Sequence, residues 1–574
     1  MKIMLFATAY NGLCQRVHRE LILSGHQLSV ELSNNADVMQ QAFSNFSPDL
    51  VICPFLKHRI PDSIWQYVPC LVLHPGVAGD RGPSSLDWTI VDPVERWGAT
   101  LLQANHDFDA GAIWATCEFK MRQTSKASLY RNEITQRAAK MIGEAVNKFA
   151  LNNKNLSAMK LKQLTANDYQ WRRLMKQFDR QIDWLRDSSA SIVNKINAAD
   201  SFPGVLDEIN GRSVYLFGAR YEAIEHADAK PGTLLGQRDE AVCRATKDGA
   251  VWIRQMKLAK SPSQSFFKLP AMRVLTTQIK LDQTLPALSS PIQNDIRVEI
   301  NEQVAYLYFD FYNGAFNSEQ CVQLLTQFKI ISSQPEINIV VLMGGEDFWS
   351  NGIHLHCIEH AKDSAKESWR NINAINDLVE SLINCDSVLT IAALRRNAGA
   401  GGAIVPLACD YVVARKGVIL NPHYQLMGLT GSEYWSYLLP KRVGEKKALK
   451  LMRDCLPLLA QEALEINMVD SVFDEDPEVY HQLLVDYCQK LSKSDDYEML
   501  LKSKNALRKK EQRYKKLSTY RSQELKLMRD IFKEPSSHYH LLRHLFVHKI
   551  DCGKTPKRLR SHTYSDEETR VEVG

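Results

Sequence analysis

The sequence predicts an α/β protein with two α/β units, a small β-barrel between them and a helical tail. Short β-rich runs alternate with helical or turn-rich segments over residues 2–146, and this alternation returns from Asp295 to about Leu491. Between these regions, residues 211–257 alternate apolar and polar positions with glycine turns, which indicates a small barrel. A chain of 574 residues also exceeds what one hydrophobic core can hold, so several domains are expected.

The first α/β unit is expected over residues 1–165 and has a Rossmann-like pattern. Four of its strands are predicted by the β-rich runs KIMLFAT, QLSVEL, DLVICPF and PCLVLH. Strands that alternate with helices favour a parallel sheet covered by helices on both faces. Such sheets bind their ligands beyond the carboxyl ends of the strands, and His74 stands at one of those ends.

Four segments follow the first unit. The barrel is expected over residues 166–275, from runs such as GRSVYLFGARYEAI. A linker is expected over 276–292, because this part of the chain carries proline, serine and glutamine without periodicity. The second α/β unit is expected over 293–491, with VEINEQVAYLYFD and INIVVLMGG as strands. A basic helical extension, which includes LKSKNALRKKEQRYKK, is expected over 492–574.

The composition is that of an ordinary globular protein. Apolar residues make up 45% and charged residues 24% of the chain, and the net charge of +5 is too small to indicate nucleic acid. The twelve cysteines are scattered without a CxxC pair, which suits buried thiols in a reducing compartment. No apolar run reaches the roughly 20 residues of a membrane helix, and the amino terminus does not have the pattern of a secretion signal. We therefore predict a cytoplasmic protein with neither a nucleic-acid nor a membrane partner.

The first candidate site consists of His74, before Pro75 and Gly76, and Asp109 in the triplet DAG. A carboxylate beside an imidazole fixes its tautomer and supports proton transfer during acyl transfer. For these two residues alone, a capped core histidine and a turn aspartate is the simpler interpretation.

The surrounding sequence favours the catalytic interpretation, because from Met1 to about Lys260 it resembles the folate-dependent formyltransferases. His74, the pair Arg81–Gly82 and the pattern of Asp109 with Gly111 match that family. The later blocks QIDW, FPG and PGT follow in the family's order.

The resemblance implies that formyl-tetrahydrofolate is the donor. It implies that His74 assists the movement of charge and protons, that Asp109 orients it, and that Arg81, Gly82 and Asp107 contact the folate. One position departs from the family: the asparagine that polarises the formyl oxygen falls on Val72. Asn105 or backbone amides are the candidates to replace it.

The second candidate site consists of two glycine-bearing segments that follow strands. FWSNGIHL comes after INIVVLMGG, and AGAGGAIVPLACD comes after SVLTIAALRR. Glycine allows the backbone to approach a ligand closely. Two N–H groups from such loops can hold the negative charge that develops on a carbonyl oxygen.

Together these blocks resemble the crotonase (enoyl-CoA hydratase/isomerase) superfamily between Asp295 and Leu491. The resemblance implies a coenzyme A thioester as ligand. Its two oxyanion segments fall on Gly352 with the Ile353 amide, and on Gly401 with Gly402, where the Gly401 amide is the second donor.

The chain departs from the hydratases at both catalytic carboxylates. The first falls on Ile404, and the second falls near His423 or Tyr424. Hydration with two glutamates is therefore not expected, and Tyr424 and Glu433 are the candidate catalytic residues near the acyl pocket. The alternative is that Tyr424 and Trp435 line the core while Glu433 caps a helix.

As a whole, the chain resembles the HypX/HoxX hydrogenase maturation proteins, with GDRGPSSLDW and NPHYQLMGLTGSEYW as matching blocks. The resemblance implies transfer of a formyl group from formyl-tetrahydrofolate to coenzyme A and decarbonylation of formyl-CoA. The carbon monoxide would become a ligand of the iron in a NiFe hydrogenase, with maturation proteins that carry the iron centre as partners.

The sequence is also consistent with two other functions. The amino-terminal half could formylate an amine beside an unrelated or inactive crotonase half, or the chain could be a non-catalytic scaffold that binds folate and coenzyme A. In the tail, the basic stretch 502–516 is interpreted as a solvated helix rather than a nucleic-acid arm. His540, His544 and His548 are spaced to share one helix face, but no cysteine or carboxylate is evident to complete a metal site, so none is predicted.

Overall fold

The computed structural model describes residues 1–32, 35–223, 229–260, 266–550, 553 and 555–562. These residues form two compact units, one made of residues 1–293 with the chain after 552, and one made of residues 294–551. Both units combine helices with strands, which confirms the predicted α/β class.

The first unit opens with a six-stranded sheet of order β2-β1-β3-β4-β6-β7. Its strands, with the short pair β5 and β8, are β1 (Lys2–Ala7), β2 (Gln27–Glu31), β3 (Leu50–Phe55), β4 (Cys70–His74), β5 (Asp80–Arg81), β6 (Arg96–Gln103), β7 (Ile113–Lys120) and β8 (Gln170–Trp171). Its helices are α1 (Gly12–Leu23), α2 (Ala36–Phe46), α3 (Asp62–Trp65), α4 (Ser85–Val91), α5 (Lys126–Leu129) and α6 (Thr135–Leu151). All four strands predicted in this unit are present.

This sheet is mixed, which differs from the parallel sheet that we expected. Strands β1 to β4 are parallel, whereas β6 runs antiparallel to both β4 and β7. The connection between β6 and β7 spans only residues 104–112, which is too short for a crossover and closes a hairpin instead. The hairpin loop carries Asp109, and β4 ends at His74.

The predicted barrel region is a six-stranded antiparallel sheet of order β11-β12-β13-β10-β9, with β14 paired to β13. Its elements are α7 (Ser189–Ala198), β9 (Val205–Ile209), β10 (Arg212–Glu222), β11 (Leu234–Arg238), β12 (Ala241–Thr246), β13 (Gly249–Leu258), β14 (Leu269–Pro270) and α8 (Ala271–Arg273). The expected linker at 276–292 is folded onto this sheet: a π-helical turn covers Val274–Ile279, and Leu285 and Ser290 are buried. A single short helical turn is too brief to show a periodic apolar pattern in the sequence. The linker was therefore expected from composition alone.

The second unit contains a six-stranded sheet of order β15-β16-β17-β18-β20-β23, parallel except for the β15–β16 hairpin. Its strands are β15 (Ile296–Asn301), β16 (Val304–Phe309), β17 (Ile339–Gly344), β18 (Leu389–Leu394), β19 (Ala398–Gly399), β20 (Tyr411–Arg415), β21 (Ile419–Asn421), β22 (Leu458–Leu459) and β23 (Ser471–Phe473). Its helices are α9 (Ser318–Ser332), α10 (Leu355–His360), α11 (Ser364–Ile383), α12 (Trp435–Val443), α13 (Glu445–Asp454), α14 (Ala460–Glu465), α15 (Pro477–Ser492), α16 (Tyr497–Tyr514), α17 (Leu517–Lys533) and α18 (His538–His548).

The carboxyl-terminal helices are an integral part of the second unit rather than an appendage. Helix α17 buries Leu525, Met528 and Phe532 in the same core as the strands. The basic helix α16 is anchored by Lys504, whose Nζ lies 2.7 Å from Asp410 Oδ2. The chain then returns to the first unit, where the His562 ring lies 3.0 Å from the Glu31 carboxylate on β2. Among the described residues, no helix is both long and apolar enough to span a membrane.

Candidate active sites

The histidine predicted in the first unit is held by a carboxylate that the sequence did not single out. His74 ends β4 and is almost fully buried, and its Nε2 lies 2.9 Å from Asp80 Oδ2. Asp80 in turn accepts a hydrogen bond of 2.6 Å from Arg172 Nε. The arginine neutralises part of the charge of the Asp80 carboxylate and fixes its orientation. The only signal in the sequence was the position of Asp80 six residues after the histidine.

Asp109 lies on the other side of the ring, with its Oδ2 3.5 Å from His74 Nδ1. Its backbone is left-handed, with φ of 55°, and its carboxylate accepts a hydrogen bond from the Gly82 amide at 3.2 Å. The Asp109 side chain is 19% exposed, against 1% for Asp80. The open side of the histidine is therefore the side that faces Asp109.

The other residues predicted to contact the folate lie at the loop between β6 and β7, which carries Asp109. Arg81 donates to the Phe108 carbonyl at 2.8 Å and lies over the ring of Tyr169. Asp107 is exposed, and its amide donates to Asn105 Oδ1. The side-chain oxygen of Asn105 is thus already engaged within its own turn.

A close approach of the backbone explains Gly76, the glycine that follows the histidine. A Cβ atom at this position would lie 2.7 Å from His74 Cδ2 and about equally close to the Asp80 carboxylate. Any side chain there would separate His74 from Asp80. Val72, which stands where the family has its asparagine, lies two residues before His74 on β4 and pairs with Leu102 on β6.

In the second unit, the two predicted oxyanion segments meet. Gly352 has φ of 74°, and a Cβ atom added to it would lie 3.2 Å from the Gly401 nitrogen. The Phe316 amide donates to the Gly352 carbonyl, and the His354 amide donates to Asn371 Oδ1, so the peptides on either side of Ile353 are held. Gly402 packs directly against the Ser350 carbonyl.

Tyr424 and Glu433 form a buried pair beside this loop. The Tyr424 hydroxyl donates to Glu433 Oε2 at 2.7 Å, and the Ser432 amide and hydroxyl each approach the same oxygen at 3.2 Å. The Glu433 carboxylate lies against Gly401, because a Cβ atom on that glycine would be 2.7 Å from Glu433 Cδ. The carboxylate is therefore adjacent to the second predicted oxyanion donor.

Burial sets the protonation of this pair. It raises the pKa of Glu433 to about 7, although the hydrogen bonds from Tyr424 and Ser432 oppose the shift. Burial, followed by the negative charge of Glu433, raises the pKa of Tyr424 well above its usual value, so the phenol keeps its proton. A carboxylate that changes charge near neutral pH is suited to take up and release a proton.

The backbone at Glu433 is strained, and two residues from other helices hold it. Glu433 and Tyr434 both have left-handed φ angles, of 60° and 59°, which cost about 1–2 kcal/mol each for residues with a side chain. The Glu433 amide donates to Asn376 Oδ1 at 3.1 Å, and the Tyr434 amide donates to Glu524 Oε2 at 3.0 Å. Strained backbone of this kind is concentrated at functional sites.

Glu524 and Asn376 were missed by the sequence interpretation. Glu524 lies on α17 at the spacing of the buried residues Leu517, Met528 and Phe532. A carboxylate on the apolar face of an amphipathic helix was the signal that could have identified it. Burial raises its pKa to about 7 as well.

The positions where hydratase carboxylates would stand have other surroundings. Ile404 is completely buried in the apolar core, and the His423 ring lies 2.7 Å from the Asn421 carbonyl. Trp435 begins helix α12 and packs against the core. Of the residues proposed in this region, Tyr424 and Glu433 are the two that share a hydrogen bond next to the glycine loop.

The first unit holds a histidine between two carboxylates, and the second unit brings two glycine segments together beside a buried glutamate. This combination is that of a formyltransferase-like unit fused to a crotonase-like unit. The family models agree: Formyl transferase, C-terminal domain, matches residues 174–268, and Enoyl-CoA hydratase/isomerase matches residues 299–550. These two domain types indicate enzymatic activity.

Relatives that match along the whole chain identify the family. The hydrogenase maturation factor HoxX of Bradyrhizobium diazoefficiens is 40% identical over 98% of this chain and 97% of its own length. The crystal structure of HypX from Aquifex aeolicus in complex with tetrahydrofolic acid matches with a TM-score of 0.91 and 38% identity, covering 99% of both chains. The methionyl-tRNA formyltransferase of Pseudothermotoga lettingae is 24% identical over 41% of this chain and 75% of its own length. The chain belongs to the HypX/HoxX family of hydrogenase maturation factors, as its sequence blocks predicted.

Proposed function

We propose that the protein transfers a formyl group from formyl-tetrahydrofolate to the thiol of coenzyme A and then releases carbon monoxide from formyl-CoA. The carbon monoxide would serve as a ligand for the iron of a NiFe hydrogenase, supplied to a maturation protein that carries this iron. The tetrahydrofolic acid bound to the Aquifex aeolicus relative and the crotonase-type unit support folate and coenzyme A as substrates.

In the first step, the thiol of coenzyme A gives up its proton and its sulfur attacks the formyl carbon. The bond from that carbon to the folate nitrogen then breaks, and the proton that the thiol lost is returned to the nitrogen. Thiolate is a strong nucleophile, which compensates for the valine at position 72. Asp80 holds His74 from the buried side, so His74 and Asp109 are the groups that would move the proton on the open side.

In the second step, Glu433 removes the formyl hydrogen as a proton while the Ile353 and Gly401 amides hold the carbonyl oxygen. The carbon–sulfur bond then breaks, its electron pair leaves on sulfur, and the proton passes from Glu433 to the thiolate. The products are carbon monoxide and coenzyme A, and no oxidant or reductant is consumed. Tyr424 keeps the carboxylate in place through its hydrogen bond to Oε2.

The observation that carries this proposal is that the Glu433 carboxylate lies beside Gly401. Burial raises the pKa of this carboxylate to about 7. A formyl thioester has no α-carbon to hydrate, so a single base next to the oxyanion donors is sufficient. The apolar Ile404 in place of a hydratase carboxylate fits the same chemistry.

Purified protein incubated with formyl-tetrahydrofolate and coenzyme A should produce carbon monoxide, measured as carbonmonoxyhaemoglobin. Omission of either substrate should abolish the signal. Formylation of an amine without any requirement for coenzyme A would contradict the proposal and favour an amine formyltransferase. Binding of both substrates with neither formyl transfer nor gas would favour a scaffold.

Gly401→Ala should lower carbon monoxide release by about 100-fold and leave formyl transfer intact, because the added methyl group displaces the Glu433 carboxylate. The two steps are measured separately, with formyl-CoA as the substrate for gas release. Gly143→Ala is the matched control, since a Cβ atom there would have no atom within 4 Å. Normal gas release by Gly401→Ala would contradict the assigned position of the base.

A further inference from the structure

Three potential metal ligands meet between helices α10 and α18 of the second unit. Glu359 Oε1 lies 2.8 Å from His544 Nδ1 and 3.6 Å from His548 Nε2. All three ligand atoms lie within 4.8 Å of one another. The sequence interpretation left these histidines without an acidic partner, because Glu359 is 185 residues away from His544 in the chain.

The spacing of these atoms suits a divalent cation. Zn²⁺ binds imidazole nitrogen and carboxylate oxygen at about 2.0–2.2 Å, so tetrahedral ligand atoms stand about 3.4 Å apart. The separations of 2.8 and 3.6 Å differ from that spacing by about 0.6 and 0.2 Å, which small rotations of the side chains must supply. The two imidazole rings are already close, with centroids 4.2 Å apart, and both project from one face of α18.

Arg543 orients the carboxylate without occupying the oxygen that faces the histidines. Its Nε donates to Glu359 Oε2 at 2.7 Å, which leaves Oε1 directed to the two imidazoles. The rest of the guanidinium group is held by Ser364 Oγ at 3.2 Å and by the ring of Tyr539. A partner that fixes a ligating carboxylate from its far side is typical of metal sites.

We propose that Glu359, His544 and His548 bind a divalent cation of borderline softness such as Zn²⁺, with water in the fourth position. Two imidazoles and one carboxylate favour such a cation over Mg²⁺ or Ca²⁺, which prefer oxygen ligands. The site would join α10 to α18. Helix α10 begins two residues after Ile353, so the cation would also stiffen the loop that carries this amide.

The test uses the full chain, freed of metal by a chelator, and zinc or cobalt ions alone. Wild type should bind one equivalent of Zn²⁺, and the double variant His544→Ala/His548→Ala should bind it at least about tenfold more weakly. Cobalt at the site should give visible absorption bands that the same double variant lacks. Zinc should slow hydrogen exchange of the amides in residues 353–360 of wild type.

His538→Ala is the matched control, because this exposed histidine stands on the same helix outside the cluster and its loss should leave binding unchanged. Glu359→Gln keeps the shape of the side chain and should also weaken binding. Circular dichroism reports whether each variant is folded. Equal zinc stoichiometry and cobalt spectra in wild type and in a folded double variant would overturn the proposal, as would the absence of tight binding by wild type.

Discussion

Replacement of His74 by glutamine should lower the rate of formyl transfer to coenzyme A by about 10²–10⁴-fold. The imidazole of His74 lies between the carboxylates of Asp80 and Asp109, and it is nearly inaccessible to water that could take over proton transfer. Glutamine fills a similar volume and can donate a hydrogen bond to Asp80, so the loop should remain folded. Formyl-CoA formation is followed by chromatography from formyl-tetrahydrofolate and coenzyme A.

The same variant should release carbon monoxide from added formyl-CoA at the wild-type rate, because this step belongs to the second unit. His58→Gln is the control, since His58 is an exposed histidine of the first unit. If His74→Gln transferred the formyl group at the wild-type rate, the proton route through this histidine would be wrong.

The roles of the two carboxylates can be separated in the same assay. Asp80 is buried and paired with Arg172, so Asp80→Asn should disturb the orientation of the ring. Asp109 is on the open side, where the proposed mechanism places the substrates, and its replacement by asparagine should remove the carboxylate that faces them. We therefore expect the larger loss of turnover from the change at Asp109.

Most of the fold could be predicted from the sequence because apolar runs identify strands regardless of their partners. KIMLFAT and INIVVLMGG are buried strands in the structure, as expected. The direction of a strand was harder to predict from the sequence. Strand β6 lies antiparallel to β4, and no pattern within β6 encodes this pairing. The short hairpin loop that enforces it was visible only once both of its strands were delimited.

The candidate sites could be predicted only where their residues stand in local motifs. His74 and Gly401 lie in such blocks, whereas Glu524 supports Tyr434 from 90 residues away. Contacts over such separations depend on how helices pack, which a single sequence does not encode in its local patterns. Because α17 was interpreted as part of an extension, Glu524 was not connected with Glu433.

Replacement of Glu433 by glutamine should lower carbon monoxide release from formyl-CoA by about 10²–10⁴-fold while formyl transfer continues, so that formyl-CoA accumulates. Glutamine preserves the size of the side chain and its contact with Tyr424 but cannot take up a proton. The exposed carboxylate Glu445 on α13 provides the control Glu445→Gln, which should behave as wild type. Accumulation of formyl-CoA is measured beside the gas.

The pH dependence identifies the group responsible. Glu433 acts as a base in its ionised form, and burial raises its pKa to about 7. In wild type the rate of gas release should therefore rise about tenfold per pH unit below 7 and level off above it. The hydrogen bond from Tyr424 lowers the pKa of Glu433, so Tyr424→Phe should move the midpoint of the profile to higher pH.

Stability supplies an independent check on the same carboxylate. An unfolded glutamate ionises near pH 4.5, whereas the folded state favours the protonated Glu433 up to about pH 7. The stabilisation from this group is thus complete below pH 4.5 and is lost as the pH rises to about 7. Glu433→Gln has no charge to bury, so urea unfolding at pH 8 should find it at least as stable as wild type. If a well-folded Glu433→Gln variant still released gas at the wild-type rate, this carboxylate would not be the base. A flat pH profile in wild type would lead to the same conclusion.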